Sequence, residues 1–366
     1  MRIAIVNQHP RDVTGGSELQ CDLLARGLTR RDHEVLFVVV GPDGGARGTL
    51  DDLPYATQRV GADADAIVAA CRAHRADVVY WRMNRPGLGA VVRGLAAASI
   101  PLVLATAHVD DVSRWPVRDL PPGLGPRGIV AELRVRLRER LEWRALRHVA
   151  GLAAQREDFL GRTPVPLERL VRNVLDPELV GSAGGGWTWP RPYVAWVGNI
   201  KHRKRPEELV PLAGPLRDAG VDLLVVGAVA EDRYTALLAP ERVGEGVHAL
   251  GPLPLPDVLD VLAGARALVV TAREEGFSNA LIQSWWQGTP VVSLGYDPDG
   301  LMVRHGLGTV CGEDREAFRA AVLSAATHED PGRRAHIAAF ARATFALEPN
   351  LDALEDLLGE VVGSAR

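Results

Sequence analysis

The sequence is short of cysteine, lysine and aromatic residues, and these shortages already narrow the reading. Its three cysteines, Cys21, Cys71 and Cys311, stand far apart in a chain of 366 residues. That spacing suits neither a zinc ribbon nor a disulfide framework and points to a reducing compartment. Aromatics make up 5% and apolar residues 47%, yet no uninterrupted apolar stretch reaches the ~18 residues a membrane span needs. The first residues, a short apolar run followed by polar ones, do not read as a secretory signal. A cytoplasmic location is therefore expected. No Gly-x-Gly-x-x-Gly follows a strand, which weighs against a dinucleotide dehydrogenase, and no P-loop or Gly-x-Ser-x-Gly elbow occurs.

Net charge is −4 with no concentrated basic stripe, so a nucleic-acid partner is not expected. Charge is unevenly shared. Residues 1–180 hold 25 Arg against 22 Asp and Glu, whereas residues 181–366 hold 17 Lys and Arg against 24 acids. An anionic or membrane-bound partner would meet the first half. Of the 42 basic residues only two are lysines, Lys201 and Lys204, and both fall in one loop. An ammonium is a compact point charge where a guanidinium is a planar fork, so this loop reads either as a chance surface cluster or as a phosphate-binding loop.

A length of 366 residues suits two domains of roughly 100–200 residues each. Apolar runs over 3–6, 34–40, 77–81, 101–105 and 149–154 predict strands, with helices from Gly15-Gly16 and over 66–74, 88–98 and 129–147. Near-continuous apolar strands between helices indicate a parallel sheet covered on both faces. Residues 181–192 are small, flexible and Pro-capped, and read as a linker. The alternation then restarts, with strands over 193–197, 222–226, 248–250, 267–271 and 290–293 and helices over 206–219, 256–263 and 279–287. The expectation is two Rossmann-like, doubly wound α/β domains facing a cleft: 1–180, then the 181–192 linker, then 193–345. A tail helix over 346–366 packs back on either domain. Ligands in such sheets sit at the carboxyl ends of the strands.

The most specific stretch runs from Glu275-Gly276-Phe277-Ser278-Asn279 through Gln283 to Gly288-Thr289-Pro290-Val291-Val292. A strand runs into a glycine turn that opens a helix, whose free amides and dipole favour an anion. Gln283 lies two turns into that helix, where it can face the same ligand or simply solvent. Glu275 can equally be a helix cap.

This stretch resembles the retaining GT-B glycosyltransferases of glycosyltransferase family 4. Their pattern is Glu-Gly-Phe, a second Glu eight residues after the first, then Gly-x-Pro-Val-Val. Here Gln283 stands where the second Glu belongs. Other landmarks occur in the family's order: Gly15-Gly16 after the first strand, a His-Glu-Val run ending at Val35, His108 after the strand at 102–105, and Asn173-Val174-Leu175-Asp176. Gly198 with Lys204 six residues later completes the set, with Asn199 where the family usually has Arg.

The resemblance implies a GT-B enzyme that transfers a sugar, with retention, from a nucleoside diphosphate donor to a hydroxyl. Lys204 with Arg203 would neutralise the departing diphosphate. Glu275 would bind hydroxyls of the transferred sugar, with Gly276 and Phe277 amides beside it and Ser278 and Asn279 at the same turn. Gln283 would bind the ribose, and Leu250, with Gly251 and Pro252, the base through main-chain contacts. His108 would line the first domain's side near the reacting carbon, and the Gly15-Gly16 turn would let the backbone approach the diphosphate or acceptor. No metal or cofactor is expected beyond the nucleotide-sugar substrate, linked to UDP, GDP or dTDP. The acceptor would be a glycan, a lipid-linked saccharide or a small metabolite. A nucleotide-sugar epimerase and a non-catalytic nucleotide-sugar-binding relative are the rivals.

Other signals are weaker. His9 is a second candidate beside the ligand, though a core histidine reads better. Asn173 and Asp176 suit turn hydrogen bonds. Asp63-Ala64-Asp65 imitates a metal motif but sits where acids cap a helix. Asp297-Pro298-Asp299-Gly300 is a turn rather than a calcium loop. In the Arg-rich helix, Leu133, Leu137 and Leu141 form one stripe and Arg136, Arg140 and Arg144 another. This suits peripheral contact with anionic lipid through 129–147, or a packed helix with pairs such as Arg138 with Glu142. Trp285 and Trp286 read as core.

Overall fold

The computed structural model describes residues 1–13, 15–41, 49–83, 87–114, 126–176, 178, 187–237 and 246–365. They form two compact units, Met1–Val174 with Leu347–Arg366, and Leu175–Ala346. Of the stretch read as a linker, 181–186 lies outside the described residues, whereas Trp187 and Trp189 pack against the second unit's core.

The first unit contains β1 (Arg2–Asn7), β2 (Glu34–Val40), β3 (Ala56–Val60), β4 (Val78–Trp81), β5 (Leu102–Ala105), β6 (Gly151–Ala154) and β7 (Glu168–Leu170). All pair in parallel, in the order β3-β2-β1-β4-β5-β6-β7. The middle strands are apolar on both faces because helices cover both. On one face Ile67, Leu88, Val91 and Leu95 pack against Val79, Trp81 and Leu104. Asp63 caps the Ala64–Ala73 helix by accepting from the Ala66 amide, which disposes of the metal reading.

The tail helix, Leu347–Ser364, belongs to this first unit. Its Leu351, Leu354, Leu357 and Leu358 are fully buried. Gly27 admits it: a Cβ there would lie 2.6 Å from a Leu351 methyl. Arg31 pairs with Glu348, Asp352 and Glu355 along the outer face.

The second unit contains β8 (Tyr193–Val197), β9 (Asp222–Val226), β10 (Val247–Gly251), β11 (Leu268–Val270), β12 (Val291–Ser293) and β13 (Gly308–Val310). These too are all parallel, in the order β10-β9-β8-β11-β12-β13. Trp285, Phe277 and Phe345 cluster on one face, with Trp285 and Phe345 stacked at 5.8 Å. Trp285 is therefore core, with Trp286 partly buried beside it. On the other face Leu212, Leu216, Phe318 and Val322 cover Val194 and Val225.

Strands β3, β7 and β13 and the helices Leu301–His305, Arg315–Thr327 and Pro331–Phe345 were not anticipated. The strands are edge or near-edge pieces of three to five residues with little buried apolar surface. The two longer helices do carry local signals, an Asp314 cap and Asp330-Pro331, the usual start chemistry of a helix.

The Arg-rich helix spans Pro126–Ala145. Glu142 does not pair with Arg138. Its carboxylate accepts from the Gly87 and Gly89 amides at 3.0 and 2.7 Å, because unpaired amides at the start of the Leu88–Ala96 helix outbid an exposed guanidinium. Arg136 pairs with Glu132 instead, at 3.0 Å.

Candidate functional site

In the second sheet the order reverses between β8 and β11, the switch point where open α/β sheets bind ligands beyond their carboxyl ends. Both lysines and the Glu-Gly-Phe motif follow these two strands. Lys204 Nζ lies 2.5 Å from Glu275 Oε1, with both side chains mostly shielded. Two of the three residues expected to be catalytic are thus one ion pair, although 71 residues separate them.

The loop after β8 is held from several sides. Thr271, just past β11, donates from Oγ1 to the Lys204 carbonyl at 2.5 Å and accepts from Trp196 Nε1 at 3.0 Å. Arg205 adopts a left-handed conformation, φ +51°, and its guanidinium forks between Glu313 at 2.7 Å and Glu208 at 3.0 Å. Arg315 adds a second cation to Glu208 at 2.6 Å, and this pairing, then Arg205, holds the Glu208 carboxyl below its usual range. Burial, then the adjacent Lys204 charge, lowers the Lys201 ammonium. Arg203, expected beside Lys204 on the diphosphate, is exposed.

Glycines bring neighbouring strand ends together here. The Gly198 amide bonds to Val226 O, and the Gly227 amide to Gly251 O, each at 2.9 Å. Gly227 has φ +140°, and a Cβ on it would fall 2.0 Å from the Gly198 carbonyl oxygen; only glycine allows that approach. Leu250 and Gly251 end β10 on the far side of this contact. The expected donor residues of the second unit lie at three strand ends of this sheet: Leu250 at β10, Gly198 and Lys204 after β8, and Glu275 onward after β11.

At the Asn279–Trp286 helix the N-cap is Ser278, without a side-chain cap bond. Glu275 is not the cap. Gly276 O accepts from the Tyr296 hydroxyl at 2.7 Å, which braces the turn. Phe277 points into the core, 4% exposed, and Gln283 is 7% exposed rather than a solvated face residue.

Gly15, Gly16 and His108 belong to the first unit, after β1 and β5. Gly15 is extended and precedes the Gly16–Arg30 helix, with the Glu18 carboxylate against it. His108 starts a short 3-10 turn, with Nδ1 3.0 Å from Asp110 Oδ2. Asp111 Oδ2 accepts from the Ala107 and His108 amides at 2.7 and 2.8 Å and fixes the loop. His9 is a core histidine, bonded to the Tyr55 hydroxyl at 3.0 Å and with its pKa lowered by burial. Asp176 takes the Glu178 amide in a local turn, but Asn173 reaches across the unit to Arg82. Among the described residues no group of three His, Cys, Asp or Glu side chains is placed to hold a metal.

Sequence reasoning passed over Thr271, Trp196, Gly227, Arg205 and Arg82. Gly227 had the same signal as Gly198, a glycine directly after a buried apolar strand. The polar Thr271 and Arg82 each end such a strand, where a side chain is free to turn toward a ligand.

Comparison with known proteins locates the same half of the chain. Residues 191–328 match the family described as glycosyl transferases group 1. A D-inositol 3-phosphate glycosyltransferase of Catenulispora acidiphila is 30% identical over 150 residues, which cover 38% of this chain and 36% of that protein. Likeness in structure extends over the whole chain. Sucrose-phosphate synthase from Thermosynechococcus elongatus superposes with a TM-score of 0.76 at 16% identity, covering 100% of both chains. Anabaena HepE in complex with UDP-glucose superposes at 0.68 and 17%, covering 98% of this chain and 100% of that one. The fold is of the GT-B kind, with two Rossmann-like parallel-sheet domains.

Proposed function

We propose that this chain is a retaining glycosyltransferase of family 4 that moves a sugar from a nucleoside diphosphate donor to an acceptor hydroxyl. The observation that carries this reading is the Lys204–Glu275 pair at the β8/β11 switch point, inside the stretch matching glycosyl transferases group 1. Without substrate the two charges neutralise each other. A bound diphosphate would draw the ammonium to its oxygens and release the Glu275 carboxylate to accept sugar hydroxyls. The cation is then preplaced where negative charge grows as the glycosidic bond breaks. In this reading the Gly276 and Phe277 amides contact sugar or phosphate, and the main chain at Leu250 contacts the base.

Gln283 keeps the length of the family's glutamate and a buried position, so it can still accept from a ribose hydroxyl without its charge. His108, held by Asp110 and Asp111, takes the acceptor-side role. Retention would follow the same-face course, with the leaving phosphate helping to deprotonate the acceptor. No protein carboxylate is assigned as nucleophile, and no metal is assigned to the charge work, which falls to Lys204, Arg203 and the helix start.

We also propose that the protein works at an anionic membrane surface. Ile129, Val130, Leu133, Leu137 and Leu141 are 48–61% exposed on the Pro126–Ala145 helix. At 100° per residue Arg136, Arg140 and Arg144 fall among them, so apolar side chains can enter the interface while guanidinium groups reach lipid phosphates. Among the described residues no helix is long and apolar enough to cross a membrane.

Titration with UDP, GDP, ADP, dTDP and their sugar conjugates tests the donor reading by thermal shift. One nucleotide series should stabilise the protein by about 2.7 kcal/mol at a hundredfold excess over Kd. UDP comes first, since the Anabaena HepE structure holds UDP-glucose. Silence with every nucleotide would remove the donor assignment. Donor consumed without acceptor would point to an epimerase.

A further inference from the structure

The first sheet has its own switch point, between β1 and β4, and the residue that leaves β4 there is Arg82. Its side chain is 5% exposed. Its Nη2 donates to Asn173 Oδ1 and, at 3.4 Å, to Gln155 Oε1. Both of these acceptors are neutral amide oxygens, the buried Tyr80 hydroxyl also lies against the guanidinium, and among the described residues no carboxylate pairs with it. Among the described residues Arg82 Nε has no acceptor, and neither does the Gln155 amide nitrogen, on a side chain 2% exposed just past β6. The acids nearby are committed elsewhere. Asp22 holds Arg26 at 3.0 Å and the Tyr55 hydroxyl, and Glu18 lies against Gly15. Asn7, at the end of β1, donates to Ser17 Oγ, which itself donates to the Arg82 carbonyl.

A buried charge without a counter-charge is costly, and so is each orphan donor. This corner concentrates one full positive charge and two unpaired N–H donors at the position where an α/β sheet receives its ligand.

We propose that Arg82 and Gln155 form an oxyanion subsite in the first unit that binds a negatively charged group, phosphate ester or carboxylate, on the acceptor. The inference rests on the glycosyl-transfer reading for the word acceptor, but the subsite itself does not depend on donor binding. Arg82 Nε supplies one donor and Gln155 Nε2 the second, with Asn173 Oδ1 holding the guanidinium at Nη2.

The test uses the full chain and inorganic phosphate, with acetate as the carboxylate probe and chloride at matched ionic strength as the blank. Lys204→Ala is the background, because it removes the donor-side cation. Phosphate or acetate should raise the melting temperature saturably, and adding Arg82→Gln should weaken the apparent affinity about tenfold to a hundredfold. Arg82→Lys, which keeps the charge, should retain part of the effect, and Gln155→Leu should weaken it with Arg82 intact. Those two variants also serve if Arg82→Gln fails to fold. An anion effect that is absent, or unchanged by these substitutions, overturns the subsite and leaves Arg82 a structural group satisfied by water. The UDP titration is read separately: anion binding without nucleotide binding would keep the subsite and sink the glycosyl-transfer reading, and the reverse would do the opposite. With both intact, glucose 6-phosphate should outcompete glucose as acceptor, and Arg82→Gln should erase the difference through KM.

Discussion

Lys204 and Glu275 meet at 2.5 Å across the two strand ends between which the second sheet reverses its order. Neither side chain is near the other in sequence, and each is the last step of a separate turn braced by Thr271 or Tyr296. In the proposed reading a bound diphosphate would take the ammonium from Glu275, since it offers more negative charge than one carboxylate does.

Replacing Lys204 by Ala should abolish nucleotide-dependent thermal stabilisation and lower kcat about a hundredfold to a thousandfold, the usual cost of losing a preplaced charge at a developing anion. Lys204→Arg should recover little, because a planar fork cannot occupy a point-charge position. Full activity in the arginine variant would argue that the loop only needs bulk positive charge.

Glu208 gives a pH signature. Arg315 and Arg205 depress its folded pKa below the ordinary 4.5. The native state therefore binds fewer protons there than the unfolded chain, and the stabilisation is present above 4.5 and lost as pH falls through the lowered value. A Glu208→Gln variant should melt below wild type at pH 6, and the gap should close in strong acid. A gap independent of pH would mean that Glu208 contributes packing, not charge.

Phe345 is fully buried against Trp285 and Phe277. Phe345→Ala should cost about 3–5 kcal/mol, the range for truncating a buried aromatic. Near-ultraviolet circular dichroism should report loss of the tryptophan environment together with a lower unfolding midpoint. An unaltered midpoint would show that the site collapses without a cavity.

Ending the chain at Ala346 removes a helix that buries Leu351, Leu354, Leu357 and Leu358 against the first unit. At about 1.5–3 kcal/mol per buried leucine, that loss rivals a domain's whole stability of about 5–15 kcal/mol. Limited proteolysis with mass spectrometry should find cuts throughout Met1–Val174 and protection of Leu175–Ala346. Equal protection of both would show that the first unit folds without its last helix.

For the membrane reading, co-sedimentation with phosphatidylglycerol vesicles should be strong and fall with salt. Leu133→Glu with Leu137→Glu should remove it while nucleotide-dependent stabilisation persists. Equal binding to neutral phosphatidylcholine vesicles, or none to either, would dismiss anionic lipid as the partner.

Much of this protein was legible in its amino-acid order. Strands such as 3–6, 34–40, 193–197 and 222–226 announce themselves because a parallel strand buried on both faces must be apolar throughout. The donor expectation came from the resemblance that Gly198, Lys204, Glu275 and Gln283 carry, and that resemblance is legible because turns and helix starts are local, with their chemistry written in adjacent residues. What tertiary structure decided were relationships over long separations. Sequence could propose Glu275 as a cap and Glu142 as a partner of Arg138. Folding gave Glu275 to Lys204 and Glu142 to the Gly87 and Gly89 amides, because the better-placed positive group lay on another element. It also left the Arg82 guanidinium buried among neutral amides. No local pattern reports that, because burial without a counter-charge exists only once β1, β4, β5 and β6 have been laid side by side.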